Sequence, residues 1–312
     1  MSEYLARLEL ARVAPGRPTA VTVGVFDGVH RGHQHLAGML LGSARSEGLA
    51  AVAVTFNPHP RSVLRPGMAM TYLTSLEERV EQLQALGFDA VAVLPFTSEL
   101  AQLSPEDFLR MLVEELQMKL LLVGPDFALG RNRAGTIGVM RQAGQKSGFR
   151  VEVAPLLAEE GEKVGSSAIR QALAEGDLAL VARLLGRPFS LRGPVVEGDR
   201  RGRTLGFPTA NIAIGIDHAL PAYGIYVTRA HLRENTYQSC TSIGIRPTFG
   251  VEPRPTVETF IIDFDGDIYG QDLRIELLHR LRGEVKFEGA EELVEQMHRD
   301  IRETREWFRA LA

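Results

Sequence analysis

The feature that most constrains the fold of this chain is the alternation of continuous apolar runs with segments of helical spacing through roughly the first 155 residues. Apolar runs without polar alternation are typical of strands that are buried on both faces. Strands and helices that alternate in this way predict a doubly wound α/β domain around a parallel sheet. The runs cover residues 20–25, 50–56, 90–96 and 119–123.

Ligands of such a sheet bind outside the carboxyl ends of its strands, so the segments after each run are the ones to inspect. The first, in AVTVGVFDGVHRGHQ, holds His30 and His33 where the apolar spacing predicts that a helix begins near His33. A helix start presents free N–H groups and a positive dipole end, which suit a phosphate. The histidines add donors, or positive charge, where a phosphate gains negative charge. Glycines at 24, 28 and 32 permit tight turns and close approach of a ligand.

Two other interpretations of the histidine pair remain open. In the first, His30 and His33 are simply two surface histidines at the start of a helix. A zinc site is a weaker alternative, because structural zinc needs about four ligands and Cys240 and the remaining histidines form no cluster with this pair.

Polar loops follow the second and fourth runs. Residues 57–60, Asn-Pro-His-Pro, form a stiff turn that two prolines alone would explain. The loop at 124–136 combines an acid, two arginines and three glycines with Phe127 and Leu129. These two apolar residues would be out of place in a solvated loop unless they pack against a substrate.

A third polar element, GSSAIR at residues 165–170, opens another helical pattern. Ser166 is a candidate N-cap, and that role alone would explain it. Arg170 lies four residues later on the same helix face, so hydroxyl, helix N-terminus and guanidinium can converge on one phosphate. No GxxxxGK[ST] run occurs in the sequence, which removes the P-loop architecture. The residue set favours attack on an α-phosphate by another phosphate, which needs positioning and charge neutralisation but no base.

The pattern changes near residue 186 to short β-type runs broken by Gly, Pro and Asp. This predicts a small antiparallel β-barrel or sandwich, followed by a helix over about residues 289–312. The 312 residues are enough for two domains that each bury a core. We place the boundary between residues 185 and 186.

Two features of the second domain favour chemistry. The loop GDRRGRTLGFPTAN, residues 198–211, ends in a hydroxyl, Thr209, and an amide, Asn211, on the same side of an extended segment. Their oxygens fit an ATP·Mg²⁺ site. In TVETFIIDF, alternation puts Glu258 on the face of Phe260, Ile262 and Phe264, where an unpaired carboxylate is costly. A shift of register by one residue would instead place Glu258 in solvent.

Composition excludes several classes of protein. Hydrophobic residues make up 45% and charged residues 24%, and no apolar run reaches the roughly 20 residues of a membrane helix. The N-terminus lacks the apolar core of a secretory signal. A single cysteine excludes an internal disulfide, which is consistent with a cytoplasmic protein. The net charge of −4 provides no general attraction to nucleic acid.

The motifs GVFDGVHRGHQ and GRTLGFPTANI, taken together, resemble those of bacterial bifunctional riboflavin kinase/FAD synthetases. The resemblance implies that the C-terminal barrel converts riboflavin and ATP to FMN and ADP. It implies that the N-terminal domain converts FMN and ATP to FAD and pyrophosphate, with Mg²⁺ accompanying ATP. FMN and FAD are then products rather than prosthetic groups, the partners are small molecules, and assembly into a homo-oligomer is compatible with the sequence.

The resemblance also implies roles for individual residues. Glu258 corresponds to the kinase base, Thr209 and Asn211 to the Mg²⁺ ligands, and His30, His33 and Arg170 to the catalytic groups of adenylyl transfer. GSSAIR departs from the family's SSTxIR element, with Gly165 for the first serine and Ser167 for the threonine. ATP contacts are implied for Gly24, Phe26, Asp27, Gly28, Gly32, Asn57, Ser166, Ser167, Gly198, Gly206 and Pro208. Flavin contacts are implied for Asp126, Phe127, Arg133, Arg282, Glu284 and Phe287.

Two rival functions stay open at this point. Loops of the HxGH type occur in several nucleotidyltransferases, so the first domain alone is compatible with a cytidylyl- or pantetheine-phosphate adenylyltransferase. The barrel is compatible with a binding module that senses flavin or contacts RNA without turnover. Assays with different phosphate acceptors, ATP and CTP, and of ADP release by residues 187–312, distinguish these alternatives.

Overall fold

A computed structural model of the chain describes residues 2–67, 70–159, 162–198, 206–246 and 254–311. By its internal contacts the chain divides into two compact units, with the division between Ser166 and Ser167. Within the described ranges, no helix combines the length and the apolar character needed to span a membrane.

The N-terminal unit is built on a parallel sheet whose strands run in the order β3-β2-β1-β4-β5. Its central strand is buried along its whole length, as its apolar run predicts. A further pair of short antiparallel strands, β6 and β7, follows the sheet. The strands are β1 Thr19–Val23, β2 Ala50–Asn57, β3 Ala90–Pro95, β4 Met118–Val123, β5 Arg150–Val153, β6 Ala158–Glu159 and β7 Glu162–Lys163.

Helices pack on both faces of this sheet, which confirms the doubly wound α/β class. Valines of β1 and β2 face one apolar core together with α1, α5 and α6. Alanines of the same strands face a second core together with α2 and α4. The helices of this part of the chain are α1 Ser2–Val13, α2 Arg31–Glu47, α3 Pro60–Leu64, α4 Leu76–Ala85, α5 Pro105–Leu116 and α6 Ile137–Ser147.

Serine side chains cap the starts of two of these helices. Ser104 caps α5 by accepting from the N–H of Asp107, with Pro105 in the first turn. Ser75 and Glu78 form a capping box at the start of α4. The single helical pattern expected after residue 166 is two helices, α7 Ser166–Glu175 and α8 Leu178–Leu185, because Gly176 adopts a left-handed conformation with φ of 79°.

The C-terminal unit contains a closed antiparallel barrel with strand order β10-β11-β12-β9-β8-β13. This resolves the choice between barrel and sandwich. Helix α8 packs on β8 and β13, and the last helix, α9 Ala290–Leu311, packs on β10 and β11. The strands are β8 Phe189–Val196, β9 Ala210–Ile212, β10 Gly224–Leu232, β11 Asn235–Arg246, β12 Arg254–Ile261 and β13 Asp272–Arg282.

The interior of this barrel contains linked hydroxyl groups besides its apolar side chains. Thr228 bonds to Ser239 at 2.7 Å and to Thr241 at 2.8 Å, and Thr241 bonds to Thr259 at 2.9 Å. All four residues are fully buried. Each hydroxyl therefore has a partner, as buried polar groups require.

Candidate active sites

Residues 24–33, here called the histidine loop, follow β1 and carry His30 and His33. The strand ends at Val23, two residues before the end of the apolar run in the sequence. The chain leaves the sheet there because three residues adopt positive φ: Phe26 at 55°, Gly28 at 78° and Val29 at 38°. A β-branched residue such as Val29 rarely takes this conformation, so the loop is strained. Strain of this kind is concentrated at functional sites and persists only where surrounding contacts hold it.

Two contacts to the segment before α4 hold this loop. The Asp27 carboxylate accepts from the N–H of Leu73 at 2.8 Å. The N–H of Gly28 donates to the Thr74 hydroxyl at 3.3 Å. Both Asp27 and Thr74 are buried, so the loop is tied to the body of the unit rather than solvated.

The two histidines lie side by side at the start of α2. Their rings stack with centroids 3.6 Å apart and an interplanar angle of 18°, and the Phe26 ring packs edge-on to His33 at 5.1 Å. His30 is the N-cap, and its Nδ1 accepts from the backbone N–H of His33 at 3.4 Å. An acceptor Nδ1 places the proton of neutral His30 on Nε2.

Burial lowers the pKa of His33 well below its usual 6.5, and the nearby His30 and Arg79 lower it further. At neutral pH His33 is therefore an uncharged imidazole. It supplies a hydrogen bond and not a positive charge.

The glycines of the loop are required by the loop's own side chains. A Cβ on Gly24 would lie 2.9 Å from Cζ of Phe26, and one on Gly32 would lie 3.1 Å from Cε1 of His30. An added Cβ at Gly24 or Gly32 would thus meet Phe26 or His30, while Gly24 itself lines the cavity described below. Contacts of these glycines with ATP stay a prediction.

A cavity of about 730 Å³ opens at the carboxyl ends of the strands, which is where ligands of a parallel α/β sheet bind. Its lining includes Gly24 and three residues of the loop after β4, namely Asp126, Phe127 and Arg133. Arg133 donates from Nη2 to the backbone oxygen of Asp126 at 2.8 Å, which fixes the loop. His59, in the turn after β2 that the sequence singled out, also lines it. Sequence reasoning missed further lining residues, namely Phe56, Arg61, Arg65, Phe96 and Phe108. The sequence offered one signal for part of this set: Arg61 and Arg65 follow closely on the Asn-Pro-His-Pro turn.

The remaining predicted groups of this half differ in position. Asn57 ends β2 with an exposed side chain and is not among the residues that line the cavity. The Ser166 hydroxyl donates to the backbone oxygen of Asp27 at 2.9 Å, so it reaches the histidine loop across 139 residues of sequence. Ser167 and Arg170 lie on α7 after the division between the units, and Arg170's role at the phosphate stays a prediction.

Arg79 is a residue that the sequence analysis did not single out. It lies on α4 and is only 1% exposed, although its neighbours Leu76 and Leu83 mark an apolar helix face. Its Nη1 donates to Val25 O, Phe56 O and Thr55 Oγ1, at 2.9, 3.2 and 3.3 Å. An arginine at core spacing on an amphipathic helix was the signal available in the sequence.

The barrel brings together the three residues expected to act there. Glu258 on β12 pairs in register with Asn211 on β9, and Thr209 Oγ1 lies 3.5 Å from Glu258 Oε2, at the outer limit of a hydrogen bond. Gly198 lies directly against the Asn211 amide, so a Cβ there would be 2.6 Å from Asn211 Cγ. Gly206 and Pro208 are exposed, and residues 199–205 of the predicted loop lie outside the described residues.

Glu258 and Phe260 share a face, as predicted, but it is not the core face. The buried residues of β12 are Val257, Thr259 and Ile261, so Glu258 lies half-buried on the outer face of the barrel. The Phe207 ring packs against Phe260 there, with centroids 5.6 Å apart. The strand ends at Ile261, so the alternation does not extend to Ile262 and Phe264.

A second cavity, of about 410 Å³, lies beside Thr209. Inner-face residues of β12, Thr259 and Ile261, line it, together with Pro208 and residues 264–269. Thr209 therefore contacts this cavity on one side and approaches Glu258 on the other.

Of the predicted flavin-side residues, Arg282 at the end of β13 is held by the last helix, α9. Arg282 forms a two-pronged ion pair with Asp300, at 2.9 and 2.7 Å, and its guanidinium lies 5.9 Å from the centre of the Phe287 ring. The Asp300 carboxylate raises the pKa of Arg282. The Glu284 carboxylate lies against Gly244, two residues along β11 from the strand partner of Glu258, and so shares the outer face with it.

Two sites suited to phosphate groups, one at the strand ends of a parallel sheet and one on a barrel, define a two-domain transferase that uses nucleotides. Sequence comparison finds two family matches along the chain. The profile of the FAD synthetase family matches residues 14–168, and that of the riboflavin kinase family matches residues 185–308.

Individual relatives cover almost the whole chain. The bifunctional riboflavin kinase/FMN adenylyltransferase of Bacillus subtilis is 36% identical over 93% of this chain and 92% of its own length. That of Escherichia coli K12 is also 36% identical, over 95% and 94%. A crystal structure from Streptococcus pneumoniae titled macrolide-efflux protein superimposes with a TM-score of 0.86 at 31% identity, covering 95% of this chain and 97% of that one.

The chain belongs to the family of bifunctional riboflavin kinases/FMN adenylyltransferases. The family predicted from the two motifs is thus confirmed, as are the fold class and the expectation of an enzyme with kinase and adenylyltransferase domains. Its substrates are riboflavin, FMN and ATP, and its products include FMN and FAD.

Proposed function

We propose that the two reactions of this family are divided between the units according to their nucleophiles. In the barrel an alcohol, the ribityl 5′-hydroxyl of riboflavin, attacks the γ-phosphate of ATP and gives FMN and ADP. In the N-terminal unit the phosphate of FMN attacks the α-phosphate of ATP and gives FAD and pyrophosphate. The observation that carries this division is the Glu258 carboxylate beside Thr209 and Asn211. An alcohol must lose a proton, whereas a phosphate is already an anion.

The kinase site follows from that carboxylate. Glu258 accepts the proton of the 5′-hydroxyl as the oxygen bonds to the γ-phosphorus and the bond to ADP breaks. Thr209 and Asn211 fit Mg²⁺ because both offer neutral oxygen donors, and Mg²⁺ takes one or two protein oxygens with phosphate and water. When bound, Mg²⁺ neutralises charge on the phosphates. The 410 Å³ cavity beside Thr209 has room for part of a nucleotide. We assign Gly198, Gly206 and Pro208 as contacts of that nucleotide.

The adenylyl-transfer site depends on hydrogen bonds. We assign His30 Nε2–H and the His33 ring as donors to the α-phosphate as its charge develops. Ser166 supports the loop through Asp27, and the phosphate roles of Ser167 and Arg170 on α7 stay predictions. The Asp27 carboxylate is committed to the N–H of Leu73, in keeping with a reaction that needs no base.

The flavin of the second reaction fits the 730 Å³ cavity. Its aromatic lining, which includes Phe56, Phe96, Phe108 and Phe127, suits a flat ring system. Arg133, Arg61 and Arg65 suit the phosphate of FMN at the rim. In the kinase, Glu284 and Phe287 are assigned to the flavin side of Glu258, with Arg282 holding them to α9 through Asp300.

The cytoplasm is the compartment we infer, since the one cysteine, Cys240, is buried and free. Partners other than small molecules and the oligomeric state stay predictions. Sedimentation of the whole chain with and without FMN measures the latter.

The experiment that tests the division uses Glu258→Gln, which keeps size and removes the base. FMN formation should fall by about 10²- to 10⁴-fold, while FAD formation from supplied FMN stays at the wild-type rate. Glu276→Gln is the matched control, because Glu276 lies on β13, which does not pair with β12, and its carboxylate forms an ion pair with Arg229. Equal loss of both activities in a folded Glu258→Gln protein contradicts the division.

The converse variant is His33→Ala. It should lose FAD formation and keep FMN formation, since His33 lies only in the N-terminal unit. Chromatography of the flavins after incubation with riboflavin, ATP and Mg²⁺ resolves both products. A His33→Ala protein that forms FAD at the normal rate removes His33 from the mechanism.

A further inference from the structure

The buried guanidinium of Arg79 lies behind the histidine loop, at the carboxyl ends of β1 and β2. Its three hydrogen bonds go to Val25 O, Phe56 O and Thr55 Oγ1, and Thr55 also donates to Val25 O at 2.9 Å. These acceptors are neutral. Thr55 would meet the hydrogen-bonding need of Val25 O without Arg79, so hydrogen bonding alone does not explain a cation here.

The charge of Arg79 is not balanced by an ion pair. Among the described residues the carboxylates of Asp27 and Glu77 act on Arg79 through charge alone, without a hydrogen bond. Its Nε is buried without a hydrogen-bond partner. Burial lowers the pKa of Arg79, while the more distant Asp27 carboxylate raises it, but an arginine stays protonated. A buried cation that is hydrogen-bonded only to neutral acceptors is costly, and the cost is offset when a ligand brings an anion.

His33, in the adjoining loop, adds no positive charge of its own. His33 is neutral because its ring is buried, and Arg79 is close enough to contribute to the lowering of its pKa. His30 uses Nδ1 as an acceptor. The histidines therefore offer hydrogen bonds, yet a triphosphate carries several negative charges that the loop must accommodate.

We propose that Arg79 is a positioning residue of the adenylyl-transfer site that acts through the histidine loop: its buried charge supplies the fixed positive potential behind Val25 and His33 that holds the ATP phosphates. The inference rests on the proposed site at His30 and His33. A fixed cation in a low-dielectric environment acts more strongly than one in water and needs no reorganisation when the ligand binds.

Two substitutions separate charge from hydrogen bonding. Arg79→Gln keeps an N–H donor and removes the charge, and Arg79→Lys keeps the charge on a shorter donor. The expected result for Arg79→Gln is a fall of about tenfold or more in kcat/KM for ATP in FAD formation. Inhibition by inorganic pyrophosphate should weaken by a similar factor. Arg79→Lys should recover most of both.

Thr55→Val is the matched control, because it removes the hydroxyl that contacts Arg79 and leaves the cation in place. It should bind pyrophosphate like the wild type. FMN formation by the barrel, measured on the same proteins, reports the enzyme concentration, and the thermal transition reports folding of the N-terminal unit.

Three outcomes overturn the inference. One is an Arg79→Gln protein with unchanged kcat/KM, the second is Arg79→Lys as impaired as Arg79→Gln, and the third is Thr55→Val with the same loss. If Arg79→Gln does not fold, Arg79→Lys with wild-type pyrophosphate inhibition supports the inference, and weakened inhibition in that folded variant refutes it. A wild-type protein that forms no FAD from FMN and ATP refutes the proposed function instead.

Discussion

Replacing Gly198 by alanine should slow FMN formation, because the added methyl group would displace the Asn211 side chain. A Cβ on Gly198 would lie 2.6 Å from Asn211 Cγ and 2.8 Å from Oδ1, whereas ordinary contacts begin at 3.4 Å. The Asn211 backbone cannot yield, since β9 pairs with Glu258 on one side and with Val196 on the other. The amide must therefore move by itself.

The size of that movement sets the expected loss. Restoring ordinary contact requires a shift of roughly 1 Å, which takes the Asn211 oxygen out of its place beside Thr209. A misplacement of about 1 Å in a positioning group costs on the order of 10²-fold in rate. Gly198 does not have positive φ, so alanine introduces no backbone strain that would complicate the result.

The assay is release of ADP from ATP·Mg²⁺ in the presence of riboflavin, with FAD formation from supplied FMN measured on the same sample. Gly289→Ala is the matched control, because nothing lies within 4 Å of the added methyl group. We expect kcat/KM for FMN formation to fall only in Gly198→Ala, with FAD formation unchanged in both. Wild-type FMN formation by Gly198→Ala would refute the placement of Asn211 in the kinase site.

Three further predictions concern stability and the histidine loop. Folding lowers the pKa of His33, so as the pH drops below about 6.5 the unfolded chain binds a proton before the folded one, and the stability of the fold should decrease. In thermal melts, the melting temperature of His33→Gln should depend less on pH over this range than that of the wild type. Asp300→Ala removes a buried carboxylate and leaves the half-buried Arg282 without it, which should cost about 3 kcal/mol in urea unfolding, most of it absent when Arg282 is replaced by Met as well. Gly24→Ala displaces Phe26 from the His33 ring, so FAD formation should fall about tenfold while FMN formation is kept.

The architecture was largely predictable because it depends on local patterns. Unbroken apolar runs require burial on both faces, so the alternation with helices predicted the parallel sheet that Val21 and its neighbours form. Strand order is different. Which strands lie beside β1 depends on crossover connections between distant segments, and no short pattern encodes the order β3-β2-β1-β4-β5.

Residues close in sequence were also predictable as site partners. His30 and His33 meet because one helical turn joins them, and Thr209 and Asn211 share a side because the segment is extended. Contacts between distant segments were found only through the family resemblance or not at all. Arg79 is the example of the latter, as its helix must fold back on the ends of β1 and β2 before its charge has any relation to His33.

Glu258 marks the border between the two kinds of information. By itself the sequence determined that Glu258 and Phe260 share one face of a strand, since side chains alternate along every extended chain. Only the tertiary structure decided that this face is the outer one, because barrel closure, and not the strand, chooses which side becomes the interior. That closure is what leaves the carboxylate half-buried beside Thr209.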